Sequence, residues 1–218
     1  MNIFLLVSLP LVLRIYTLIK YPQLKKVKQN YIYLMIALFG ITIYFSLYLT
    51  EELILYKALE INYKTKLSLA ISIFIKEHLY YYIFPLLTFI FFFTFNSDSA
   101  LKKKPIFLIY FAFSLTFSKN LELIISNSKV FSTYEYIKIP ILHIIKFIST
   151  AIICERGINF SIIHNINGYK LILIPLLLLE AIITTLKVLI LINMQFYALS
   201  ISTILLVIIA LNRSSLKL

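Results

Sequence analysis

Between Tyr31 and Leu49 the chain runs nineteen residues without a charge, and comparable apolar stretches recur along its length. At about 1.5 Å of rise per residue, a helix of that size matches the roughly 30 Å hydrocarbon thickness of a bilayer. One such stretch could be the buried helix of a soluble core. A series of them cannot, because a water-soluble globule needs polar surface to cover it. Here 61% of 218 residues are hydrophobic and 14% are charged, against about a quarter charged in ordinary soluble domains. Three glycines and no sustained period-two alternation argue against a transmembrane barrel. The sequence therefore predicts an all-α, polytopic transmembrane helix bundle, a single integral membrane domain over residues 1–218.

About seven spans follow from the apolar segments. The first covers Ile3 to about Ile19; lacking basic residues before it and a small-residue cleavage site, it reads as a retained helix rather than a signal peptide. The second is Tyr31–Leu49, and the third is Leu67–Phe95, broken by Lys76, Glu77 and His78. Pro105–Ile125 is the fourth, with proline suited to a helix start. Ile139–Cys154 is a shorter fifth, Leu171–Ile192 the sixth, and the seventh ends near Leu211. Glu51–Lys66 mixes acids and lysines and reads as a solvated stretch at a membrane surface. His164 falls in a polar loop, and the lone Cys154 reads as a buried thiol at a helix end. One cysteine excludes an internal disulfide and a cysteine metal cluster. The aromatic runs Tyr80–Tyr82 and Phe91–Phe93 read as lipid-facing packing and an interface belt.

A net charge of +12 would suggest nucleic acid in a soluble protein. In this chain the lysines sit mostly in short loops, where they set topology and meet anionic headgroups of the lipid bilayer. No nucleic-acid partner is expected. Lys20–Lys28, Lys102–Lys104, Arg156 with Lys170, and the tail bearing Arg213 and Lys217 fall on one side. That side is expected to be cytoplasmic. The N-terminus is then outside and the C-terminus inside a cytoplasmic (inner) membrane.

The residues that carry chemistry are those a bilayer should reject. Glu77, His78, Glu122, His143 and Glu180 lie in the apolar segments of four helices. Each acid at mid-bilayer costs roughly 2.5–3.5 kcal/mol. Three would approach about 10 kcal/mol, comparable to a domain's whole stability, unless paired or hydrated. Two solutions are open. Each acid finds a lysine, with Lys76 beside Glu77, Lys119 three residues before Glu122, and Lys187 two turns past Glu180. Alternatively, the acids and histidines meet around something positive. Carboxylate and imidazole are zinc's usual non-thiolate ligands. A bound zinc polarises a scissile carbonyl while a free carboxylate takes the proton of the attacking water. No HExxH is present, so such a site would be assembled from separate helices.

Pro10 lies in the first span, a basic segment follows, and polar motifs then come on four successive helices. They are Phe74-Ile75-Lys76-Glu77-His78, Phe113–Ser118 leading to Asn120-Leu121-Glu122, Pro140-Ile141-Leu142-His143, and Pro175–Glu180 with Thr184 a turn on. Along nearly the whole chain this order resembles the PrsW family of intramembrane metalloproteases. The histidine shortly after a proline is the best match. One glutamate of the family's glutamate pair is kept, and Glu180 stands where the family has histidine. The resemblance implies zinc-dependent peptide-bond cleavage within the membrane, of an anti-sigma factor or another single-span membrane protein substrate. It implies Glu77 as general base or ligand, with Glu122, His143 and Glu180, and His78 beside them, as zinc ligands. Two other readings remain open: a small ion- or proton-coupled transporter using the same groups as a relay, and a non-catalytic membrane scaffold. The protease requires the acids and His143 to converge; the relay requires ionisable groups strung along a path.

Overall fold

The computed structural model describes residues 2–21, 30–55, 61, 64–96, 105–126, 135–164, 169–192, 194, 197 and 201, and they are helical nearly throughout, with no strand among them. Among the described residues lie seven α-helices: α1 (Asn2–Lys20), α2 (Asn30–Thr50), α3 (Lys66–Ile73), α4 (Phe84–Asn96), α5 (Pro105–Ser126), α6 (Glu135–His164) and α7 (Tyr169–Leu191). Two π-helical segments interrupt them. Glu51–Leu55 extends α2, and Phe74–Ile83 joins α3 to α4 without a break. The expected third span is thus one continuous helical rod. Its start is fixed locally by a capping box: Thr65 accepts from the Ser68 amide, and Ser68 accepts from the Thr65 amide.

Among the described residues, three helices are long and apolar enough to cross a membrane: Tyr31–Leu55, Pro105–Ile125 and Ile172–Leu191. They cover the second, fourth and sixth expected spans. Large apolar side chains such as Tyr31, Met35, Leu53, Ile54, Phe84 and Leu178 point outward, as a lipid-facing surface requires. Apart from residues 194, 197 and 201, the expected seventh span lies outside the described residues, as do the basic segments 22–29 and 102–104 and the tail.

α5 is the central helix, packed on α2, α6, α1 and the rod's π-helical and α4 parts. Ile109, Phe111 and Ala112 of α5 are fully buried, with Leu9 of α1, Leu86 of α4, Phe147 of α6 and Leu176 of α7 around them. Close approach is permitted by glycine. Gly40 brings α2 against α5 at Ser114, and Gly157 brings α6 against Ile172 of α7.

Two boundaries differ from expectation. α6 begins at Glu135 and continues past Cys154 to His164, so Cys154 is mid-helix and the loop expected at Glu155–Lys170 is largely helical. Polar residues alone do not end a helix; a breaker does. No proline occurs there, and Gly157 serves packing. Similarly, Glu51 is not solvated at a surface. It is buried at the end of α2 while Glu52 remains exposed, because one turn of π-helix carries the chain on past Thr50.

Candidate functional site

One end of the bundle collects the C-terminal ends of α2, α5 and α7, the N-terminal part of α6 and the π-helical segment Phe74–Ile83. Each carries ionisable side chains inward. Counting from Leu191, Glu180 lies eleven residues down α7, about 16 Å from that end at 1.5 Å per residue. Lys187, four residues from the end, is about 6 Å deep. The charges are therefore staggered in depth.

Glu51, Glu77, Glu122 and Glu180 each have a lysine, though often not the one sequence spacing proposed. Lys119 binds both oxygens of Glu122 at 2.7 and 2.8 Å, as expected from their three-residue separation. Lys187 pairs with Glu77 rather than Glu180. Lys76 reaches back to Glu51 rather than its neighbour Glu77. Glu180 is held at 2.9 Å by Lys146, whose Nζ is also 3.4 Å from Nδ1 of His78. His78 itself contacts Glu180. Local helical spacing found one pair of four, because a π-helical backbone turns successive side chains away from α-helical positions and the remaining partners come from other helices.

Tyrosines and an amide complete the network. Tyr44 donates to Glu122 and Tyr81 donates to Glu51, and their rings stack at 5.0 Å between centroids. Tyr82 lies under Lys146, whose ammonium is 3.6 Å from the ring centre. His143 contacts the Asn120 side-chain oxygen through Nδ1, so the ring N–H donates and the other ring nitrogen is left as an acceptor. Tyr81 and Tyr82 are buried, which corrects their reading as a lipid-facing belt. A cavity of about 30 Å³ opens among Glu77, His78, Lys119, His143, Lys146 and Lys187, with Tyr44, Tyr81, Tyr82 and Thr116 also at its wall. That is room for roughly two waters at about 10–15 Å³ each.

No known protein family, curated protein or solved structure matches this chain. The site must be read from its own geometry.

Of the residues expected at a zinc centre, Glu77, His78 and His143 line the same cavity. Glu180 stands against His78, and Glu122 is bound by Lys119 and Tyr44. Among the described residues, no group of three or more His, Cys, Asp or Glu side chains is placed to hold a metal ion. Three ammoniums, of Lys119, Lys146 and Lys187, share the cavity wall with one carboxylate, Glu77, and a dication there would meet like charge. What the arrangement offers instead is exchangeable protons. It brings together carboxylates, ammoniums, imidazoles and phenols around space for water.

Lys146 and Tyr44 stand outside the residues the sequence singles out, while Glu51 and Tyr82 are named there only within a surface stretch and an aromatic run. Lys146 had a signal: it lies three residues after His143, on the same helical face, inside a run otherwise apolar. The phenols had none, since a tyrosine in an apolar helix reads equally well as packing.

Proposed function

We propose that this chain is a multi-pass protein of the cytoplasmic membrane that relays protons, of the class of small proton-coupled transporters. α1, the rod from α3 through α4, and α6 are read as further spans beside the three apolar ones. The observation that carries the reading is the staggered, fully paired network. Ionisable side chains run from Glu51 and Lys187 near one end of the bundle down to Glu180, His78 and Lys146. At about 16 Å, the last of these reach the middle of a 30 Å bilayer. Chains of acids and histidines facing a bundle interior are how membrane proteins carry protons.

The chemistry follows from the contacts. His78 passes the proton on Nδ1 towards Glu180 as it takes one on Nε2. Lys146 neutralises Glu180 while the acid is ionised, so the carboxylate is not a bare buried charge in that state. The cavity supplies water between Glu77, His143 and His78. With the lysine-rich loops cytoplasmic, this polar end faces outside.

The test is electrical and needs no knowledge of a co-substrate. Reconstituted proteoliposomes on a sensor membrane are subjected to a pH jump, and the charge displacement is recorded. Wild type gives a transient that protein-free vesicles lack, and Glu180→Gln abolishes it. A wild type indistinguishable from empty vesicles overturns the relay.

One observation favours a second reading, the divergent PrsW-like membrane protein acting on a single-span substrate. Glu77, His78 and His143 come from two separate helices and line one cavity, as the order of motifs implies. Metal analysis of purified protein separates the two. Stoichiometric zinc in wild type that is lost in His143→Ala supports the protease-like site; a metal-free wild type at neutral pH supports the relay.

A further inference from the structure

The charges around the cavity balance, but the groups at its wall do not. Four lysines answer four glutamates: Lys76 with Glu51, Lys119 with Glu122, Lys146 with Glu180 and Lys187 with Glu77. With the histidines neutral, these eight side chains carry no net charge. Among the described residues, however, three of the lysines line the cavity, and Glu77 is the one acid that does. Glu122 and Glu180 hold their ammoniums without reaching the wall themselves. The space is electropositive at close range and is neutralised through carboxylates set back from it.

That balance lasts only while each acid is ionised. When a proton reaches Glu180, the ammonium of Lys146 loses the carboxylate that neutralises it at 2.9 Å. What stays beside it is neutral: Nδ1 of His78 at 3.4 Å and the ring of Tyr82, 3.6 Å from ammonium to centre. The Lys146 side chain is 8% exposed, and a buried charge stripped of its partner is strongly unfavourable. Lys119 and Lys187, at the same wall, add repulsion. Neutrality returns if Lys146 gives up a proton or if an anion comes in. The first undoes the uptake and makes no use of the space. The second uses the cavity as it is built. Its volume of about 30 Å³ holds roughly two water-sized groups, enough for chloride or a one-carbon carboxylate and too little for a larger ion.

Resting on the proton-relay reading, we infer that this cavity binds one small monovalent anion, the size of chloride or formate, against Lys146, together with the proton taken by Glu180. The anion is the co-substrate of the relay. One proton and one anion load together, so the site gains no net charge, and release of both returns the Lys146–Glu180 pair to its starting form.

The probe is chloride, added to the purified full-length protein at constant ionic strength with gluconate as the replacing anion, and binding is read from chloride NMR line broadening. In wild type the broadening saturates and formate displaces it. The apparent affinity rises about tenfold for each unit fall in pH while Glu180 is mostly ionised, as one proton per anion requires. Glu180→Gln leaves Lys146 without a carboxylate at every pH, so it binds chloride independently of pH. Lys146→Met loses the binding. So does Lys146→Met/Glu180→Leu, which removes both charges and so guards against loss through misfolding, checked by far-UV circular dichroism. Absent binding, pH-independent binding in wild type, or binding that survives in the double variant overturns the inference. The pH-jump transient tests the relay separately. A jump acid enough to protonate Glu180 without an anion gives the transient in gluconate, and chloride, arriving with the proton, diminishes it. A transient that chloride leaves unchanged overturns the anion site and keeps the relay. No transient in either salt overturns the relay, and the co-substrate with it.

Discussion

Removing Lys146 is the sharpest test of how the bundle tolerates its charges. Its ammonium is 2.9 Å from Glu180, and the two side chains are 8% and 0% exposed. At an effective dielectric constant of about 20, a pair at that distance attracts by about 6 kcal/mol. Burying the two ions costs several kcal/mol each, so the pair as a whole contributes little net stability. Its removal is asymmetric. Lys146→Met keeps the length and apolar stem of the side chain but leaves Glu180 uncompensated, which costs about 3–5 kcal/mol. His78 is the one remaining contact that can offset the charge, by taking up a proton, and this draws the loss towards about 3 kcal/mol.

Lys146→Met/Glu180→Leu removes both charges and should be near wild type, or more stable by about 1–4 kcal/mol. The measurement is reversible unfolding in mixed micelles, titrated with a denaturing detergent. It is followed by far-UV circular dichroism because the chain has no tryptophan to report by fluorescence. A single variant within about 0.5 kcal/mol of wild type, the range of an ordinary surface substitution, would mean that Glu180 reaches solvent or headgroups. The same result would remove the mid-bundle ion pair from the argument.

The other predictions concern packing and the corrected boundary. In Gly40→Ala the new methyl would lie 1.8 Å from Ser114 Oγ and 2.9 Å from its Cβ, so α2 must move off α5 at a cost of about 1–3 kcal/mol. Adding Ser114→Gly should restore most of the loss in the same unfolding titration. Glu51→Gln should destabilise by about 3 kcal/mol because it leaves Lys76 facing an uncharged partner. Glu52→Gln, at the exposed neighbouring position, should stay within about 0.5 kcal/mol; equal effects would return this segment to the membrane surface.

Helix existence was legible from sequence because it depends on apolar length, a property of single segments. Tyr31–Leu49, Pro105–Ile125 and Leu171–Ile192 all fall on helices that meet the requirement for crossing a bilayer. Helix ends were less so. α6 runs ten residues past Cys154 because polar residues without a breaker do not stop a helix. The site was legible in kind and not in pairing. Glu77, His78 and His143 were expected to share an interior, and they do. Which lysine answers which acid depends on the rotation of four helices about their axes, and a π-helical segment under Glu77 and His78 changes that rotation in a way apolar periodicity does not encode.

That segment also bears on why charges persist in so apolar a chain. Over Phe74–Ile83 the rod aims Glu77, His78, Tyr81 and Tyr82 at partners on α2, α5, α6 and α7. A regular α-helix allots about 100° per residue, so Glu77 and His78 would diverge, and so would Tyr81 and Tyr82. The wider π turn narrows that divergence, and Glu77, His78, Tyr81 and Tyr82 all line one cavity. π-bulges are found mostly at functional positions because they weaken the hydrogen-bond ladder, and a purely structural bundle gains nothing from ten residues of one. Four lysine–glutamate pairs that offset each other's burial cost would equally be replaced, at little loss, by leucines. Both features are expensive as architecture and sensible as chemistry, and together they weigh against a passive scaffold.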